Sequence, residues 1–428
     1  MARTITPTDA HTIVNLMIKE AIGADSTIQA VDTSSFVSAG ETLMSLGHEN
    51  VLNVLSLVLG RTFVAVRPYK AKLQIINTLN SGLFTSRWRK ISYYDDDMTA
   101  AGPWNTDLYT NLYEGFNAET NNPDGQGDPQ SVGGMYEMHF KIPVEMWFGG
   151  ASVWDYFYTV SSVALQTAFR NEEEFGKFIS GLLTKAGNDI EKGKEAFNRM
   201  AILNKIAGVY DMSASMPGSV VNLTKGFNDK YGTSYTSEQL RTTYQKEFLA
   251  YFVETFKMTS KKLREDTTLF HWTPDATKTL SRHTSAEDQR VLLYEPMFIS
   301  AEANVFPEIF NPQYLDIKTQ YEGVLYWQNI NDPAAIKVTP AIPDVSDPTA
   351  QKKGNAVSIP YVVGMIMDRD ALMVDYQFDG ANTTPEHPRK RVRNTFYHFM
   401  RNICDDYTEN TVIFIMEDPA SEQPAVNS

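Results

Sequence analysis

Met367-Asp368-Arg369-Asp370-Ala371-Leu372, then Asn394-Thr395-Phe396-Tyr397-His398, and last Glu409-Asn410-Thr411-Val412-Ile413-Phe414 mark the closing part of this chain. Ser358 to Met367 is a largely apolar run, the pattern of a strand buried on both faces. It turns at Asp368 to Asp370 and resumes through Leu372 to Tyr376. Two further strands, Phe396 to Cys404 and Thr411 to Met416, are joined through Asp406 to Asn410, residue types that turn a chain. After Met416 the segment 417–428 is polar, contains proline and is expected to be a loose tail.

Upstream, Val291–Tyr294 and Val324–Trp327 read as strands, and Asn329–Gly354 as a Pro- and Asp-rich loop. Leu240, Tyr244, Phe248, Tyr251, Phe252 and Phe256 fall on one side of a helix expected over Ser237–Met258. Another helix is expected over Asp189–Ala207, ending at Gly208. Before it, Phe175, Phe178, Ile179, Leu182, Leu183 and Ala186 recur at helical spacing, opened by a capping box at Asn171 and Glu174 and stopped by Gly187. Trp154, Phe157, Tyr158, Leu165, Ala168 and Phe169 are assigned to one helical face as well.

Towards the start, Tyr136, Met138, Phe140 and Ile142 alternate with Glu137, His139 and Lys141, the period of a strand with one dry face. Phe63, Val64 and Val66 begin another, and the two runs read as legs of one long excursion. Between them, Asp95–Gly134 is rich in Gly, Asn, Asp and Pro, with Trp104, Tyr109, Tyr113 and Phe116 scattered without period. Loops this long inside a compact domain are uncommon, so a protruding arm that orders on a partner is expected. Ile13, Val14, Met17, Ile18 and Ala21 mark one amphipathic helix, and Val51, Leu52, Leu55, Val58 and Leu59 a second, with a Ser-, Thr- and Ala-rich linker at Thr27–Gly40. Each helix has one narrow apolar face. Two readings stand: an arm packed on a neighbouring chain, or an ordinary domain edge.

At 428 residues the chain exceeds what one core usually serves. Its 42% hydrophobic, 12% aromatic and 21% charged residues are those of a folded protein. Asp and Glu number 52 against 38 Lys and Arg, a net charge of -14, which argues against a protein that grips nucleic acid by its phosphates but not against a wall that surrounds it. The single cysteine, Cys404, excludes an intrachain disulfide and a Cys-based zinc site. No apolar run approaches the ~20 residues of a membrane-spanning helix, and Met1–Gly23 lacks a secretory pattern. The expectation is a soluble protein made in a reducing cytoplasm, with no membrane partner.

The common catalytic constellations are missing. Gly187–Lys194 has five residues between its glycines and Glu195 where a phosphate loop needs Ser or Thr. No His-Glu-x-x-His and no Gly-x-Ser-x-Gly occurs, so no catalytic, metal or cofactor residue is named. His271 and His283 read as structural, and Cys404 as a small core filler. Two charge clusters remain. Arg87, Arg89 and Lys90 precede Asp95, Asp96 and Asp97, a solvated turn or weak cation site without the oxygen spacing of a calcium loop. Arg389, Lys390, Arg391 and Arg393 read as a solvated turn, a nucleic-acid contact or an inter-subunit ion-pair surface. The last is favoured because acidic partners are plentiful and Arg pairs bidentately.

The order of these parts resembles the major capsid proteins of tailed double-stranded DNA bacteriophages, the Hong Kong 97-type fold. Asp368 to Ala371 is similar to the family's Asp-x-x-Ala turn, Asn394–His398 to its aromatic strand and Glu409–Phe414 to its Glu-Asn-x-Val-x-Phe strand. Leu165–Phe169 through Phe175, Phe178 and Ile179 resembles the helical region of short-tailed phage capsid proteins. The resemblance implies an α+β chain with an N-terminal arm and leading helix and strand at 1–66 and an extended β-hairpin loop at 67–147. A peripheral domain with a long helix would follow at 148–210, completed by 395–416, and a mixed α/β axial domain at 211–394 with a helical insert at 210–262. It implies a structural, non-enzymatic subunit of hexamers and pentamers in an icosahedral virion shell around double-stranded DNA, assembled in the host cytoplasm without a cofactor. Scaffolding, portal and decoration proteins would be its further partners. Trp104 and Tyr113 would be buried between chains, with Arg87, Arg89 and Lys90 pairing across the rim and the Asp95–Asp97 and Arg389–Arg393 clusters at the same contacts. A portal or tail-tube subunit, and a carbohydrate-active hydrolase, are the alternatives.

Overall fold

The computed structural model describes residues 7–22, 28–45, 72–73, 75–79, 87–95, 142–149, 152–161, 167–169, 172–275, 277–302, 320–344, 347, 350–385, 387 and 389–418. Its helices are α1 (Pro7–Ile22), α2 (Thr33–Ser45), α3 (Glu172–Asp211), α4 (Leu223–Tyr231), α5 (Ser237–Thr242), α6 (Gln245–Lys262) and α7 (Glu295–Glu302). Its strands are β1 (Asn77–Leu79), β2 (Trp88–Tyr93), β3 (Pro143–Phe148), β4 (Ser152–Ser161), β5 (Val220–Asn222), β6 (Gln289–Tyr294), β7 (Gln320–Val324) and β8 (Ile336–Val338). They continue with β9 (Ala341–Pro343), β10 (Gln351–Lys353), β11 (Val357–Ile359), β12 (Val362–Asp368), β13 (Leu372–Thr383), β14 (Val392–Asp405) and β15 (Thr411–Ile415).

The apolar run read as one strand over Ser358–Met367 is split: Ser358 and Ile359 fall in β11, which pairs with β8, and from Val362 the chain forms β12, the middle of a five-stranded sheet ordered β5-β15-β12-β6-β7. It pairs antiparallel with both β15 and β6, which explains its unbroken apolar pattern: Val362, Val363, Met365, Ile366 and Met367 are all buried. The aromatic side of α6 packs on β15, with Phe252 and Phe256 ring centroids 5.8 and 5.7 Å from Phe414. The other main sheet is ordered β1-β13-β14-β4, and its central pair β13–β14 carries a bulge at Tyr376/Phe378. Because β14 lies in one sheet and β15 in the other, residues 406–410 carry the chain between them. The α+β class is therefore the one expected, and α4, α5 and α6 fall where a helical insert was placed.

Around the stretch expected as an extended loop, the described pair is β2 with β3, antiparallel from Trp88↔Phe148 to Tyr93↔Pro143, and neither strand is one of the two runs read as its legs. The strands expected at Phe63–Val66 and Tyr136–Lys141, the helix at Val51–Leu59 and the cap residue Asn171 lie outside the described residues, as do Asp96, Asp97, Trp104 and Tyr113.

Several expectations are corrected. Trp154 to Tyr158 is not helical but part of β4, paired with β14 along its length. Its Val, Trp, Tyr, Phe and Thr content suits a strand, and the half-buried Tyr156 and Tyr158 alternate with exposed Val153, Asp155 and Phe157. Gly187 does not stop a helix, and α3 runs unbroken for 40 residues. A glycine inside a helix costs only about 1 kcal/mol, and the pairs Lys185–Asp189 (3.0 Å), Glu191–Lys194 (3.1 Å) and Glu195–Arg199 (3.0 Å) brace this stretch. Gly208 does not end it either. The linker assigned to Thr27–Gly40 contains most of α2, started by Asp32, whose carboxylate accepts the Ser35 N–H at 2.8 Å. The strand placed at Val324–Trp327 ends at Val324. Finally, α1 is covered by its own chain: Ala10, Val14, Met17 and Ile18 form one cluster with Phe36 and Leu43 of α2, Phe169, and Phe175 of α3.

Candidate functional site at the turn between the sheets

The connection Asp405–Asn410 must cross the interior to reach the second sheet, and there its polar groups can be satisfied only by other protein groups. It does this first by itself. Asp406 Oδ1 accepts the Thr408 N–H at 2.8 Å and the Thr408 hydroxyl at 2.7 Å, an Asx-type turn. Its other oxygen and the carboxylate of Glu409 both receive the Lys90 ammonium from β2. From α3, Lys205 lies 3.1 Å from Asp405 Oδ1 and donates to the Asp406 carbonyl at 2.7 Å. The adjacent Asn204 donates to Asp405 Oδ2 at 2.6 Å, and Tyr407 donates its hydroxyl to the same oxygen at 3.1 Å.

Glycine makes this approach possible. A Cβ on Gly208 would stand 1.9 Å from the Tyr407 hydroxyl, so only glycine lets the ring lie against α3, where Lys205 Nζ is 4.1 Å from the ring centroid. On the far side of the turn, His271 pairs through Nδ1 with Asn410 Oδ1 at 3.0 Å and through Nε2 with the Leu280 carbonyl at 2.7 Å. The Asn410 amide donates to Thr284 Oγ1 at 3.2 Å.

Charge balances within this hub, with Lys90, Lys205 and Arg282 facing Asp405, Asp406 and Glu409. Burial pushes the Asp405 carboxyl up against the pull of Lys205. Burial also opposes ionisation of Asp406, but Lys90, the Thr408 donors and Lys205 outweigh it and hold that carboxyl below its ordinary range. Glu409 is raised by burial and by the neighbouring Asp406. Burial disfavours the Lys90 cation, and its two carboxylates overcome this and raise it. Burial lowers His271 against the opposing pull of its hydrogen bonds to Leu280 and Asn410, and it lifts the Cys404 thiol to about 12. A thiol so placed is a core residue and no nucleophile. The arrangement is a fastener that joins α3, the β2–β3 hairpin and both main sheets at one buried point.

The residues singled out from sequence are dispersed. Lys90, expected at the subunit rim, is held inside its own chain by the hub. Arg89 pairs with Glu145 across the β2–β3 hairpin at 2.7 Å and stacks on Trp147, and Arg87 donates to the Gly149 carbonyl at 3.1 Å. Asp95 accepts the backbone N–H and hydroxyl of Ser281 at 2.5 and 2.6 Å. Arg389, Lys390 and Arg391 sit exposed on the turn between β13 and β14, whereas Arg393 is buried in β14. Sequence reading missed Lys205, Asp405 and Asp406. The signal was there for Lys205, a lone cation in the apolar stripe Ala201, Ile202, Ile206, Ala207 and Val209.

A comparison with curated proteins gives no match. A sequence model of the Phi29-like phage major capsid proteins matches residues 151–415, from the start of β4 to the end of β15, and so takes in α3, the hub turn and all of both main sheets except β1. This chain belongs to the Phi29-like phage major capsid protein family. Like the rest of that family it is a structural subunit of a phage capsid, and the capsid expectation read from the closing stretch holds. Among solved structures, the capsid of Staphylococcus phage Andhra is similar at 8% identity and a TM-score of 0.47, covering 82% of this chain and 85% of that one. A chain from a structure of the head fiber and inner core protein of bacteriophage P68 is similar at 9% identity and 0.45, covering 80% and 83%. The mature capsid of bacteriophage PhiM1 gives 8% identity and 0.42, covering 82% and 88%.

Proposed function

We propose that this Phi29-like capsid protein assembles with copies of itself into hexamers and pentamers of an icosahedral head that encloses double-stranded DNA, and that it catalyses no reaction. The family match across α3 and the two main sheets carries the reading. The net charge of -14 supports an enclosing wall over a phosphate-gripping surface. The arm expected at Asp95–Gly134, with Trp104 and Tyr113, is proposed to lie on a neighbouring copy, and the exposed turn Arg389–Lys390–Arg391 to pair with acidic groups of another. Scaffolding, portal and decoration proteins are proposed as further partners, with assembly in the host cytoplasm. Electron microscopy of the purified full chain tests this. Closed shells, or hexameric and pentameric capsomers, are expected. Rings of a single kind would point to a portal and helical tubes to a tail subunit, and either would overturn the reading. Replacing 96–134 by a short Gly-Ser linker should leave a soluble fold that no longer closes shells.

A further inference from the structure

The root of the excursion is docked on the body in two physically different ways. Val144, Met146 and Phe148 of β3 enter the main core, an adhesion that is strong but has no preferred direction. From β2, the half-buried Trp88 and Lys90 alternate with exposed Arg89, and both make directional contacts to buried acids. Trp88 donates its indole N–H to Asp375 Oδ2 at 2.8 Å, in β13 of the four-stranded sheet. Lys90 reaches Asp406 and Glu409 on the turn between the sheets. One such contact would leave a pivot, whereas two on separate elements define an angle. The Arg89–Glu145 pair then ties β3 to β2, so both strands keep one orientation.

We infer that Trp88 and Lys90 are positioning residues that together set the angle at which the excursion leaves the body, and thereby the reach of the arm expected at Asp95–Gly134 towards a neighbouring copy. The second half of this rests on the assembly reading above, and the first does not. The experiment is hydrogen exchange of the full-length chain, read at 87–95 and 142–149 against β12, with electron microscopy of the same samples. Lys90→Met and Trp88→Phe should each raise exchange in the two strands about tenfold while β12 is unchanged, and should replace closed shells with irregular sheets. Lys90→Arg should retain protection and shells. Should Lys90→Met fail to fold, the charge-balanced pair Lys90→Met with Asp406→Asn takes its place. Unchanged exchange in β2 and β3, or normal shells from a variant in which both are released, would overturn the inference. Failure of the unaltered chain to assemble counts against the capsid reading alone, because exchange in β2 and β3 still decides the anchor.

Discussion

Lys205 and Asp405 are both at most 1% exposed, so each is the opposite charge that compensates the other's burial. Lys205→Met alone strands the carboxylate and should lower unfolding stability by about 3–5 kcal/mol in a urea titration. Pairing it with Asp405→Leu should recover most of that loss. Gly208→Ala forces a methyl into the Tyr407 hydroxyl and should cost about 1–3 kcal/mol by the same assay. His271 supplies a pH signature. Its folded value lies below the ordinary 6.5, so its contribution is complete above that pH and is lost as pH falls towards the folded value. Asp405 and Glu409, raised in the fold, act in the opposite sense, so the His271 share is isolated by difference. Between pH 7 and 5, His271→Gln should show less loss of urea midpoint than the unaltered chain, and equal slopes would refute the assignment.

At the level of elements, existence was more legible than extent. The apolar spacing of Phe175, Phe178, Ile179, Leu182, Leu183 and Ala186 announced helix, but Gly187 and Gly208 were read as stops. A glycine stops a helix when its backbone turns left-handed, as at Gly232 after α4, and whether that happens is settled by what the following residues pack on. Beyond Gly187, Ile190, Phe197 and Ala201 are buried on the body, so continuing is favoured. Gly193 is exposed in mid-helix and a Cβ there meets nothing within 4 Å. Gly193→Ala should therefore raise stability by about 0.5–1 kcal/mol, measurable as a higher urea midpoint. β4 was misread for a related reason: aromatics at 154, 157 and 158 satisfy a helical spacing by coincidence, and only pairing with β14 selects the strand.

Over the whole molecule, strands far apart in sequence share sheets, with β1 beside β13, β4 beside β14 and β5 beside β15, so few sheet contacts survive partial unfolding. Cys404, wholly buried in β14, reports this. The native chain should resist alkylation at pH 8 and react fully in denaturant, and rapid native labelling would show that the two sheets open locally. The sequence by itself determined the α+β class, most of the strands between Ser358 and Met416 and the first helix, because apolar periodicity and turn residues act within a few residues of one another, and the resemblance of the closing motifs pointed to the capsid family. Only the tertiary structure decided that Lys90 belongs to a buried hub, that α3 is one helix and that α1 is covered by its own chain. Those outcomes depend on which distant group arrives to pair a charge or bury a face, and no local pattern encodes that arrival.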